Sequence, residues 1–283
     1  MGMFTYGIAC ALDEPSREAP IVLRGDMEYI AQTAKSMGYQ AIELQMRDPQ
    51  RFDAKKLRQI ADQAGLAFAA IATGREFVEN RLCLIADDPA MRRAAVDKLK
   101  LHIDMAETLG AMVIVGTMRS KITDFSRFDH YLGFLTEAKL ELAEYAAKKK
   151  VIILVENILA SVSNYLNTMR QVTDYVNQLG RPNILIHLDT YSMLMEDNNI
   201  LEAVEYCAPK LKYVHFADSA RLYPGGGNVD FKTFMKMLKR VGYNGYVVFE
   251  CVPLPDEITC AKNSLDYVRA LEECIRIETA LVR

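Results

Sequence analysis

Little in this sequence ties it to a nucleic acid, a membrane or an oxidising compartment. Its 34 Lys and Arg are outnumbered by 37 Asp and Glu, for a net charge of −3, whereas a dedicated nucleic-acid binder normally shows a basic excess. No apolar run approaches the length of a membrane span, and the first residues lack a signal-peptide pattern. The expectation is a cytoplasmic protein without a membrane or nucleic-acid partner. The six cysteines have no C-x-x-C spacing and several sit in apolar runs, so they read as reduced thiols acting as small core residues. A Gly-rich phosphate turn is also missing, since Gly7 stands alone in the first apolar run. That absence argues against a doubly wound, dinucleotide-binding sheet.

What is there instead is an alternation of short apolar runs and helical patterns over 283 residues, near the usual size of one eight-stranded barrel. Strand-like runs fall at 4–11, 40–46, 66–72, 111–115, 151–156, 184–189, 213–215 and 246–250. Between them stand helix starts at Asp26, Asp53, Asp87-Asp88-Pro89, Asn199, Asp230 and Asp256, and stops at Gly38, Gly65, Gly110, Gly180 and Gly242. Asp124 or Ser126 opens what reads as the longest helix, and Ser163 or Asn164 caps the one that ends at Gly180. Parallel strands that each return through a helix close most naturally on themselves. The fold class is therefore α/β, a (β/α)8 TIM barrel spanning residues 1–283 as a single domain.

Four of the runs end on a possible metal ligand: Glu156, Asp189, His215 and Glu250, spaced 33, 26 and 35 residues apart, about one strand–helix unit each time. In a parallel barrel all four ends face one mouth. Carboxylates brought together repel, and a divalent cation is the usual remedy. Three oxygen donors and one imidazole suit Mn²⁺ first, then Mg²⁺ or Co²⁺, more than a structural zinc. Such a site keeps two positions for adjacent oxygens of a polyol or ketose, and a glutamate beside a polarised carbonyl can remove the neighbouring C–H proton. Around it, Arg75 and Arg119, with Lys121 and Arg221, are candidates to hold a phosphate or carboxylate at the distal end of the substrate. Glu43 could bond the substrate or orient Arg75. His187 points to the same side of its strand as Asp189, and Tyr6 and Phe77 could shield the sugar from water. His102 and His130 sit on predicted helices and receive no role. Apolar outer-helix residues suggest a homodimer or homotetramer.

The chain resembles the xylose-isomerase-like sugar epimerases and isomerases, the group containing ketose 3-epimerases. The likeness lies in Val155-Glu156-Asn157, Leu188-Asp189-Thr190, His215-Phe216-Ala217-Asp218-Ser219 with Pro224-Gly225-Gly226-Gly227, and Val247-Val248-Phe249-Glu250, and it covers essentially the whole chain. It implies that Glu156, Asp189, His215 and Glu250 bind one divalent metal ion. It also implies that Glu156 and Glu250 form an acid/base pair, one on each face of C3, acting through a cis-enediolate. Arg221 matches an arginine that contacts substrate oxygens. Two positions depart from the pattern: Ser192 stands where the family commonly has His, and Val162 where it commonly has Glu. They shift the expected substrate from a free ketohexose towards a sugar phosphate or an amine-linked sugar. The same metal site could serve an aldose–ketose isomerase or a polyol or keto-acid dehydratase. An abasic-site nuclease on this fold needs many histidines and a basic face, and the chain has four histidines.

Overall fold

The computed structural model describes residues 2–281. Its strands are β1 (Thr5–Ala11), β2 (Leu23–Arg24), β3 (Ala41–Gln45), β4 (Ala67–Ala72), β5 (Met112–Val115), β6 (Ile153–Glu156), β7 (Ile184–Asp189), β8 (Leu211–Phe216) and β9 (Tyr246–Phe249). All pairings are parallel, and β1 returns to β9 through Thr5↔Tyr246 to Ile8↔Phe249, which closes a ring of eight strands. The remaining strand, β2, is a two-residue addition to the end of β1 (Cys10↔Leu23) that the sequence pattern does not signal. It ties down the loop at 12–22, which stands at the barrel mouth.

The helices are α1 (Met27–Met37), α2 (Ala54–Ala64), α3 (Gly74–Val78), α4 (Pro89–Leu109), α5 (Phe128–Lys148), α6 (Met169–Leu179), α7 (Thr190–Glu196), α8 (Ile200–Cys207), α9 (Phe231–Arg240) and α10 (Glu257–Leu281). Asp26, Asp53 and Asp88 cap α1, α2 and α4 as expected, each accepting backbone N–H bonds through its side chain. Three readings change. The longest helix is α10, with 25 residues against 21 in α5. Helix α6 starts at Met169, because Thr168 and Gln171 form the capping box, while Asn164 bonds both the N–H and the carbonyl of Ile122. Short helices α3 and α7 follow β4 and β7 directly, and Asp189 itself caps α7.

Successive strand residues alternate between the barrel interior and the helix layer. The interior holds Ala9, Ala41 and Ala70 on one side, against Met112, Leu154, Tyr213 and Val248 on the other. The larger side chains of β5 to β9 thus fill the centre, and the small ones of β1, β3 and β4 leave room above them. Register slips by one residue between Ile42 and Glu43 on β3, and between Ile186 and His187 on β7. Both bulges lie just beneath the mouth, where such irregularities re-aim side chains.

Candidate active site at the barrel mouth

His215 is the hub. Its Nε2 lies 2.6 Å from Glu43 Oε2, and its Nδ1 lies 3.7 Å from Asp189 Oδ2 and 3.4 Å from Glu250 Oε2. A carboxylate oxygen of Glu156 falls within 4.8 Å of a ring nitrogen of both His215 and His187. The four strand-end residues therefore come together. Their backbones arrive there because each stands at or beside the end of a parallel strand, and Asp189, His215 and Glu250 are fixed from behind. Asn157 accepts a bond from Asp189 N at 2.8 Å, Ser192 N donates to Asp189 Oδ1 at 2.7 Å, and Gln45 Nε2 donates to both Glu43 Oε1 and Glu250 Oε1 at 2.8 Å.

Asp189 Oδ2 and His215 Nδ1 are buried and lack a hydrogen-bond partner among the described residues, and Glu250 Oε2 beside them is met by the Arg221 guanidinium. Buried polar atoms are normally satisfied, so two that face each other across 3.7 Å suggest a shared ligand. Two oxygens and a nitrogen, with the Glu156 carboxylate beside them, fit a divalent cation. Glu43 holding Nε2 leaves Nδ1 as the ligand atom, the usual arrangement of a metal-bound histidine and its carboxylate partner.

Without an ion, the charges of the site balance among its own residues. Burial and the neighbouring Asp189 carboxylate push Glu156 up to about 7. Burial works against a charged Asp189, but Arg221 and His215 outweigh it and hold the carboxyl well below its ordinary value. For His215, burial is overcome by Glu43 and Asp189, which hold it up at about 9. Burial, then His215, keep the His187 ring neutral. Arg221 reaches Asp189 Oδ1 at 3.1 Å and also pairs with Glu250. Its backbone sits at φ 57°, after Ala220 at φ 55°, an unusual pair of left-handed residues. Asp218 enforces the turn by accepting from Ser219 N, Gly225 N and Val229 N.

The remaining expected substrate residues divide. Arg221, Ser192 and Arg75 line a cavity of about 570 Å³ that Glu156, His215 and Glu250 also line. Arg75 is already engaged by Asp13, by Glu79 at 2.6 Å and by the Gln45 carbonyl at 3.3 Å. Arg119 is buried, with its guanidinium on the carbonyls of Glu156 and Leu166 and on the Ser163 hydroxyl, so it braces the loop after β6 instead of facing the cavity. Tyr6 points outward, stacks on Phe249 and donates to Glu272 at 2.8 Å. Glu43 supports His215 and accepts from Tyr213 at 2.7 Å, with no exposed surface for a substrate. His187 packs edge-on against His215 with ring centroids 4.1 Å apart. His102 lies buried against Glu76 at 2.7 Å, outside the mouth. Gln45 is a site residue the sequence reading omits. Its signal is simple, since it stands two residues after Glu43 and so shares its face.

A family model described as "Xylose isomerase-like TIM barrel" matches residues 31–271. The ketose 3-epimerase of Arthrobacter globiformis is 32% identical over 226 residues, 79% of this chain and 77% of that protein. The L-ribulose 3-epimerase of Methylomonas sp. (strain DH-1) is 30% identical over 230 residues, 80% and 78% of the two chains. A solved structure of an L-ribulose 3-epimerase superposes with a TM-score of 0.85 at 23% identity, covering 99% of this chain and 98% of that one. Among the described residues no helix is long and apolar enough to cross a membrane. With its closed eight-stranded ring and the match over most of its length, the chain belongs to the xylose isomerase-like TIM barrel family.

Proposed function

We propose that the protein is a divalent-metal-dependent 3-epimerase of a ketose or ketose derivative. The observation that carries this reading is the pair of buried, unpartnered ligand atoms on Asp189 and His215, with the Glu250 and Glu156 carboxylates beside them at the floor of the cavity. The two relatives described above are named as 3-epimerases. Glu156, Asp189, His215 and Glu250 would hold the ion, Mn²⁺ first and Mg²⁺, Co²⁺ or Zn²⁺ as alternatives. When bound, the ion polarises the substrate carbonyl and acidifies the adjacent C–H.

This chain's own residues supply the rest. Glu156 takes and returns the proton on one face of C3; burial raises its carboxyl in the metal-free site, and a bound cation would bring it back down. Glu250, steered by Gln45, serves the other face, since inversion needs proton donors on opposite sides. The reaction runs through a cis-enediolate, with Arg221 and Ser192 orienting substrate oxygens. Met195 on α7 is 66% exposed and is a candidate contact in a homodimer or homotetramer.

Incubation of the metal-loaded protein with a ketose panel in D₂O tests the reading. Deuterium should enter C3 of at least one ketose, and Glu156→Gln or Glu250→Gln should each slow that exchange by roughly 10²–10⁴-fold. Label at C1 alone would mark an aldose–ketose isomerase.

A further inference from the structure

We infer that the substrate carries an apolar or amine-tipped substituent on a terminal carbon, and that the cavity discriminates against a phosphorylated ketose. This rests on the epimerase reading for the reacting end and on the outer cavity for the substituent. Beyond the floor, the walls come from Ile158, Leu159 and Val162 after β6, Val78 of α3, and Pro20 and Ile21 of the loop before β2. Val78 is 58% and Val162 38% exposed. Apolar side chains left open around a site's entrance mark a surface that a ligand covers. The cavity's 570 Å³ falls in the range of roughly 300–1,000 Å³ that holds drug-sized ligands.

The charge pattern is equally directional. Among the described residues lining the cavity, Arg75 and Arg221 are the arginines and no lysine joins them. Arg221 is committed to Asp189 and Glu250 at the floor, and Arg75 to Asp13 and Glu79. The outer lining also includes Glu14 and Glu18, whereas Glu79 is neutralised by Arg75 and Arg47. A phosphate would meet like charge there, whereas an ammonium would meet opposite charge.

Calorimetry on the full chain loaded with Mn²⁺ tests this with five ligands: a free ketohexose, its 1- and 6-phosphates, a 6-O-butyl ether and a 6-O-(4-aminobutyl) ether. Each methylene buried against the apolar wall should tighten binding about fourfold, so one of the butyl ligands should bind at least tenfold tighter than the free sugar. Both phosphates should bind more weakly than the free sugar. A flat ranking, or a phosphate in first place, overturns the inference. Val162→Lys, at an exposed position, should raise the affinity for the 6-phosphate relative to the butyl ether at least tenfold, and an unmoved ratio would also overturn it. Exchange at C3 in D₂O is read separately. The expected ranking without exchange would sink the epimerase reading and leave this inference standing, and exchange with the wrong ranking would do the reverse.

Discussion

Glu43 shows how a single residue can be placed correctly in the fold and misread in its role. Its position on β3, facing inward, follows from strand alternation, yet its partner His215 is 172 residues away. Nothing in the sequence near Glu43 names that histidine. Glu43→Gln should lower metal affinity about 10–100-fold, read as a Mn²⁺ titration, and should also lower the melting temperature of the metal-free protein, since His215, Tyr213 and Gln45 lose a buried carboxylate partner. An unchanged affinity would remove Glu43 from the support of His215. The pH dependence follows from the same contacts. Before metal binds, His215 is held up at about 9 and Glu156 at about 7, so below pH 7 both carry a proton that the cation must displace. Affinity therefore rises with pH, by about 100-fold per unit below 7 and about tenfold per unit from 7 to 9, then levels off. Titrations at several pH values check the two slopes.

Individual helices are legible where one residue can cap and no neighbour competes. Asp26 and Asp53 are cases of this kind. The start of α6 is not, because Ser163, Asn164 and Thr168 all have capping side chains, and tertiary bonds to Ile122 claim Asn164. Thr168→Ala should destabilise the protein by about 1 kcal/mol in urea unfolding and leave exchange at C3 intact. Gly116, just after β5, makes a sharper case. A Cβ there would overlap Glu156 Oε2, so Gly116→Ala must push the carboxylate aside. Since the clash is with the end of a side chain, folding should survive while exchange at C3 falls at least about 100-fold. Equal rates for the variant and wild type would show that the position of Glu156 is not critical.

At the scale of the molecule, closure of the ring can be read from eight alternations of strand and helix. The convergence of Glu156, Asp189, His215 and Glu250 can be read from their places at successive strand ends. The outer cavity cannot be read this way. Arg75 looks free in the sequence because its partner Asp13 lies 62 residues earlier, although its second partner Glu79 stands one helical turn away, and Arg119 looks free because its partners are backbone carbonyls. Charge neutralisation of that sort depends on tertiary contact and leaves no mark on local pattern. The most direct test of the whole account is to count Mn²⁺ bound per chain at equilibrium for wild type and for Glu156→Gln, Asp189→Asn, His215→Gln and Glu250→Gln. One ion per wild-type chain, with affinity reduced by each substitution, is the predicted result. A wild type that binds no ion, or binding that all four variants retain undiminished, would contradict it.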